Sequence, residues 1–213
     1  MGFRTAGPEK VTGNIGVSMK DKIQSVFFES AEIVKKSASL SDKIEEAVIA
    51  ICDCVRNGNR VYLFGNGGSA ADAQHVAAEL IGRFQKERKS FPAVSLTTDT
   101  SILTAVANDY SFDAIFSRQC ESLVNQGDIV IAMSTSGNSK NVMNGLISAR
   151  KNGAKTIGLL GKKGGAIINL VDISLIVDSD STARIQESHR VIYHVICEMV
   201  EKELSANNDH LGS

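Results

Sequence analysis

The chain has 213 residues, 43% of them hydrophobic and 22% charged, with 23 basic side chains against 24 acidic ones. That is enough apolar material for one cored domain, and the balanced charge offers no basic footprint for nucleic acid or an anionic membrane. No run of about 20 residues is continuously apolar and the first 18 residues hold no apolar signal core, so neither a membrane span nor export is expected, and the protein is expected in the cytoplasm.

Residues 1–18 are polar and Gly-bearing and predict a flexible extension, with Met19 as an alternative start. Helical periodicity follows over 21–37 and 42–57. In the second stretch Ile44, Ala47, Val48, Ile51 and Val55 form one apolar stripe. Five short runs rich in β-branched and aliphatic residues come next, at 61–64, 93–96, 128–133, 155–160 and 172–177. Each is nearly continuous in apolar residues, the pattern of strands buried on both faces. Helical segments at 69–84, 101–124 and 139–152 separate the first four runs, and a long one at 183–204 follows the last.

Strand and helix in alternation predict an α/β fold: a three-layer, doubly wound, five-stranded parallel sheet with N-terminal helices and a long C-terminal helix. It fills a single domain over 19–206, with 207–213 as a flexible tail. The terminal helix is apolar over a wide arc (Ile185, Val191, Ile192, Val195, Ile196, Met199 and Val200), which predicts a surface shared between subunits of a homo-oligomer. The four cysteines, Cys52, Cys54, Cys120 and Cys197, lack metal spacing and are expected to be reduced and packed.

Ligands of open α/β sheets bind beyond the carboxyl ends of the strands. Here the first strand runs into Gly65-Asn66-Gly67-Gly68-Ser69-Ala70 and the third into Ser134-Thr135-Ser136-Gly137-Asn138-Ser139. The first loop fits a dinucleotide fingerprint formally, but no acidic residue closes the second strand ~20 residues on, and Glu87 lies in the charged loop before it. A Walker phosphate loop is absent from the sequence. Clustered hydroxyls at a helix start suit a phosphate dianion better than they suit a simple N-cap, which needs one Ser. A phosphate site without nucleotide apparatus points to a phosphorylated small metabolite. On the helix after the glycine loop, His75 and Glu79 stand four apart on one face, and both are good zinc donors.

The stretches GNGGSAADAQHVAAEL, LTTDTSILTAVANDYSFDAIFSRQ, STSGNS and ARIQESHRVIYH, in that order, resemble the sugar isomerase (SIS) domain, and most closely the phosphoheptose isomerase family. The resemblance covers roughly 21–203. It implies a flavodoxin-like SIS fold and an enzyme that converts sedoheptulose 7-phosphate to D-glycero-D-manno-heptose 7-phosphate through an enediol, the first step toward nucleotide-activated heptose for lipopolysaccharide core, S-layer or capsule. By the same resemblance Glu79 is the base and His194 the acid, and one Zn²⁺ per site is held by His75, Glu79, Gln186 and His194. Substrate-binding residues would be Asn66, Gly67, Gly68, Glu79, Asn108, Asp109, Ser134, Thr135, Ser136, Ser139 and Gln186, and the assembly a homotetramer with sites at subunit interfaces. Asp99 and Arg83 are further polar candidates, Arg83 more simply a salt-bridge partner; Ser69 is either a sugar contact or an N-cap; His189 is a packed hydrogen-bonding group and His210 a solvated tail residue.

One feature resists the implied ligand set. Eight residues separate Gln186 from His194, which is ~12 Å of helix and ~80° of rotation. Either the helix begins irregularly near Gln186 or the two side chains serve sites in different subunits; the wide apolar arc favours the second. The rival functions are a non-catalytic SIS module, such as a regulatory partner of a replication initiator, and an SIS isomerase for another sugar phosphate. Retention of both Glu79 and His194 counts against the first.

Overall fold

Five strands pair in parallel in the order β2-β1-β3-β4-β5: β1 is Val61–Gly65, β2 Ala93–Ser95, β3 Ile129–Ser134, β4 Lys155–Gly161 and β5 Ile173–Val177. The computed structural model describes residues 17–206. The expected tail at 207–213, with His210, and all but the last two residues of the expected extension lie outside the described residues.

β1 and β3 are buried along their whole length, which is why their sequences are unbroken in apolar residues. The pleat still sorts side chains between two cores. Val61 and Leu63 face one formed with α2 (Ser41–Arg56), α3 (Gly68–Ile81) and α7 (Thr182–Ala206). Tyr62 and Phe64 face another formed with α5 (Ser117–Leu123), α6 (Lys140–Lys151) and the 3₁₀ turn Gly165–Leu170. Gly145 of α6 admits the Phe64 ring, which stacks on Phe116 at 4.7 Å. All four cysteines are free and buried; burial pushes the Cys52 and Cys54 thiols up to about 11 and those of Cys120 and Cys197 to about 12. Packed, inert thiols are what the sequence predicts.

Two departures from the sequence pattern have identifiable causes. The first helix, α1 (Met19–Ser37), starts earlier than residue 21, because Ser18 caps it with a reciprocal capping box: its Oγ accepts from the Asp21 N–H while the Asp21 carboxylate accepts from the Ser18 N–H. Ser18 therefore belongs to the folded chain and not to an extension. The single helix expected over 101–124 is broken into α4 (Thr100–Asp109), a 3₁₀ turn Phe112–Ala114 and α5. Asn108, Asp109, Tyr110 and Ser111 are poor helix formers, and Ser111 is fully extended at φ −171°. The pieces also have separate destinations, since α5 packs on α6 whereas α4 buries no residue.

α1 likewise buries no residue, and Phe27 and Phe28 are 72% and 69% exposed. Beside it, α2 and α7 enclose an apolar groove of about 760 Å³ lined by Ile44, Val48, Ile49, Val191, Val195 and Met199. Among the described residues no helix is long and apolar enough to cross a membrane.

Candidate active site

The chain leaves β1 toward β2 on one side and β3 toward β4 on the other, so the carboxyl ends of β1 and β3 diverge. This is the switch-point crevice in which α/β folds bind ligands. In it the glycine loop and the serine loop lie side by side, since Gly65 is in register with Met133. A reciprocal amide pair joins them: Asn66 Nδ2 donates to Asn141 Oδ1 at 2.9 Å and Asn141 Nδ2 to Asn66 Oδ1 at 2.8 Å. Asn66, expected to face a sugar, thus commits its amide to a loop clamp. Asn141, unmarked in the sequence reading, is buried and also accepts from the Val142 N–H.

Gly67 precedes α3 at φ +55°, ψ −120°, a conformation closed to side-chain-bearing residues. It holds the N-cap position, so Ser69 is no cap and is instead buried in the first turn. Gly68 serves a different need: a Cβ there would lie 2.6 Å from Gln186 Nε2. The bare glycine lets the Gln186 amide rest on the loop.

In the serine loop, Ser134 is buried and its Oγ accepts from the Gly137 N–H at 3.1 Å, so this hydroxyl braces the turn. Thr135, Ser136 and Ser139 are half-buried at the crevice. Ser139 occupies the N-cap of α6 without bonding its hydroxyl to the helix, which sets it apart from an ordinary capping Ser. Asn138 ties the loop to the next one, donating to Ser136 O and accepting from the Ala166 N–H. A Cβ on Gly137 would strike the Gly164 carbonyl, so the two loops meet backbone to backbone.

α3 and α7 run parallel: Gly68 meets Gln186, Asp72 meets Arg190, and His75 meets Tyr193 and His194. His75 Nε2 lies 2.9 Å from Glu79 Oε1, and the His75 and His194 rings are 5.2 Å apart at 75°. His75 therefore stands next to both Glu79 and His194. Burial, then the neighbouring His75, hold the His194 pKa below the usual imidazole value. α7 is one continuous helix from Thr182, so the irregular start considered for it does not occur. Gln186 sits about two turns from His194, at the level of the glycine loop. One chain brings together His75, Glu79 and His194 but not Gln186, and among the described residues no group of three or more His, Cys, Asp or Glu is posed to hold a metal ion.

Behind His75 lies a network that the sequence reading missed. Tyr193 Oη is 3.1 Å from His75 Nδ1 and 3.2 Å from Asp72 Oδ1, and Arg190 donates to both the phenol and the carboxylate. Burial, with Asp72 beside it, pushes the Tyr193 phenol up to about 12. A lone acid among alanines one turn before His75 was the available signal; its partners are 118 and 121 residues away.

A second missed element fixes the far end of α3. Glu201 accepts from the backbone N–H groups of Phe84, Gln85 and Lys86 and from Arg88 Nε. Arg88 in turn donates to the carbonyls of Glu79, Leu80 and Gly82, so it caps the last turn of the helix that carries Glu79. Burial alone would raise the Glu201 pKa, but those three backbone donors and Arg88 hold it below the usual carboxylate range.

The other candidates bond outside these networks. Asn108 and Asp109 close the exposed helix α4 and bond to each other at 2.8 Å. Asp99 caps α4 through the Ile102 N–H, and Arg83 pairs with Glu87 on the surface. His189 is buried and donates from Nε2 to the Leu160 carbonyl at 3.1 Å, as a packed histidine should.

The family model for the SIS domain matches residues 27–161. A protein named phosphoheptose isomerase from Geobacter sulfurreducens is 54% identical over 165 residues, 78% of this chain and 87% of that protein. The structure of phosphoheptose isomerase GmhA from Neisseria gonorrhoeae superposes with a TM-score of 0.83 at 38% identity, covering 87% of this chain and all of that one. A phosphoheptose isomerase from Francisella tularensis does so with a TM-score of 0.84, also at 38% identity, over 87% of this chain and 99% of that one.

Proposed function

The chain belongs to the phosphoheptose isomerase family of SIS-domain proteins, and on that premise we propose that it interconverts sedoheptulose 7-phosphate and D-glycero-D-manno-heptose 7-phosphate. The observation that carries the reading is the meeting of Glu79 and His194 at His75, on the helix that the glycine loop leads into.

The phosphate is anchored by Thr135, Ser136 and Ser139 at the start of α6, where hydroxyls and the helix dipole favour a dianion. Ser134 shapes that turn. Gly67 and Gly68 give the sugar backbone-close access, Asn66 lines the same loop, and Asn108 and Asp109 bond sugar hydroxyls. With the remote phosphate fixed, the reacting end is held toward α3 and α7. Glu79 takes the proton from C1 of the ketose while His194 gives one to the C2 carbonyl oxygen, forming the enediol. Return of a proton to C2 and loss of one from the C1 hydroxyl yields the aldose.

His75, Glu79, Gln186 and His194 offer the nitrogen and oxygen donors that zinc takes, and His75 has the outer-shell partner typical of a ligand histidine. These residues would hold one Zn²⁺ per site, which would polarise the substrate's oxygens and fix their geometry. Since Gln186 lies about two turns from His194, it serves the site of a neighbouring subunit in a homotetramer. The exposed apolar face of α1 and the α2–α7 groove supply surface for that assembly. The enzyme acts in the cytoplasm, and its product enters nucleotide-activated heptose synthesis.

The test is an assay of the purified chain with sedoheptulose 7-phosphate, before and after chelation. Turnover is expected, with loss on chelation and recovery with zinc. Glu79→Gln and His194→Gln should each lower kcat by about 10²–10⁴-fold with an unchanged circular dichroism spectrum. No turnover by the wild type, or near-normal turnover by either variant, overturns the assignment.

A further inference from the structure

The bonds behind His75 form a chain of three short contacts: Asp72 Oδ1 to Tyr193 Oη at 3.2 Å, Tyr193 Oη to His75 Nδ1 at 3.1 Å, and His75 Nε2 to Glu79 Oε1 at 2.9 Å. The carboxylates at its ends can only accept. The phenol brings one proton and a neutral imidazole one more, so two protons serve three contacts. While the imidazole is neutral, one contact must therefore set two lone pairs against each other unless a third proton or a metal cation enters.

Burial decides which contact that is. Tyr193 is 2% exposed and Asp72 3%, whereas the His75 and Glu79 side chains are 40% and 22% exposed. Two facing acceptors cost most where no solvent can relieve them. Arg190 acts in the same direction, since its Nε donates to the phenol oxygen at 3.1 Å and its Nη2 to Asp72 at 2.8 Å. The phenol then uses its proton on Asp72, one lone pair on Arg190 and the other on His75.

We propose that Tyr193, braced by Asp72 and Arg190, is a positioning residue that sets the tautomer of His75: the phenol proton goes to Asp72, His75 donates from Nδ1 to the phenol oxygen, and its unprotonated Nε2 is turned toward Glu79. A bare imidazole nitrogen beside a carboxylate recognises a cation. The consequence for metal binding rests on the zinc reading above; the tautomer itself does not.

The full chain, labelled with ¹⁵N in its histidine rings and dialysed against a chelator, is observed by NMR at a pH where His75 is neutral, with the signal assigned by its loss in His75→Gln. The expected spectrum shows Nδ1 protonated and Nε2 bare, and Tyr193→Phe should shift the proton to Nε2. An Nε2–H tautomer in the wild type overturns the proposal, as does an unchanged Nδ1–H tautomer in Tyr193→Phe. If that variant fails to fold, the wild-type spectrum alone decides. With zinc alone as probe in a chelator competition, Tyr193→Phe should bind about 10–100-fold more weakly than wild type; equal affinity counts against the proposal. A wild type that takes up no zinc yet shows the Nδ1–H tautomer sinks the zinc reading and leaves this one standing. Zinc uptake with an Nε2–H tautomer does the reverse.

Discussion

His189 shows how a single side chain couples this fold to pH. It is 1% exposed, and burial lowers its pKa from 6.5 to about 4, partly opposed by its bond to Leu160 O. Its folded pKa lies below its unfolded one, so the unfolded state binds more protons between those values. Its contribution is complete above about pH 6.5 and is lost as pH falls from there toward 4, a difference of about 3 kcal/mol. Urea unfolding from pH 7 to 4 should show that loss, and His189→Gln should flatten it; an equally steep profile in the variant would assign the effect elsewhere. Gly68 illustrates the opposite economy, a side chain that must be missing. Gly68→Ala would push on the flexible end of Gln186 and not on backbone, so the fold and Tm should hold while kcat/KM drops by about 10–100-fold. Steady-state kinetics beside a thermal melt separate the two effects.

Among elements, α3 carries the most function. Four of its fourteen residues are chemically committed: Gly68, Asp72, His75 and Glu79. Its C-terminal turn is held from outside by Arg88, itself fixed by Glu201 on α7, in an ion pair only 3% exposed on either side. Breaking a buried pair leaves an uncompensated charge. Glu201→Gln should therefore cost about 3–5 kcal/mol, seen as a lower urea midpoint, and should loosen the end of α3 near Glu79. A loss under about 1 kcal/mol would place Arg88 in the surface class of salt bridges. α4 is the contrast: capped by Asp99 and with no fully buried residue, it rests on the second core only through the half-buried face of Leu103, Val106 and Ala107.

At the scale of the molecule, one chain leaves a broad apolar surface uncovered. α1 exposes Phe27 and Phe28, and α7 leaves Val191 and Val195 42% and 37% exposed beside the α2 groove. Surfaces of this kind mark association. Phe27→Asp combined with Val195→Asp adds charge where no core is disturbed, and should shift sedimentation velocity from the proposed tetramer to smaller species with unchanged secondary structure. Activity should fall with assembly, because Gln186 is proposed to serve a neighbour's site. A tetramer that persists, or smaller species with full activity, would overturn that arrangement.

Much of this was legible without coordinates because it is local. Continuous aliphatic runs specify doubly buried strands, and 3.6-residue spacing specifies helices. The i,i+4 relation alone put His75 and Glu79 on one face, where they meet at 2.9 Å. The strand order 2-1-3-4-5 follows from parallel crossovers once two loops claim the switch point. What the sequence left undecided depends on how α3 lies along α7: Asp72 with Arg190 and Tyr193, Arg88 with Glu201, and the offset that keeps Gln186 with the glycine loop. Such pairs join residues more than a hundred positions apart, and periodicity carries no information over that range. Packing against a shared sheet face sets their register, so only the tertiary structure could decide which donors back His75 and which glutamine stands away from it.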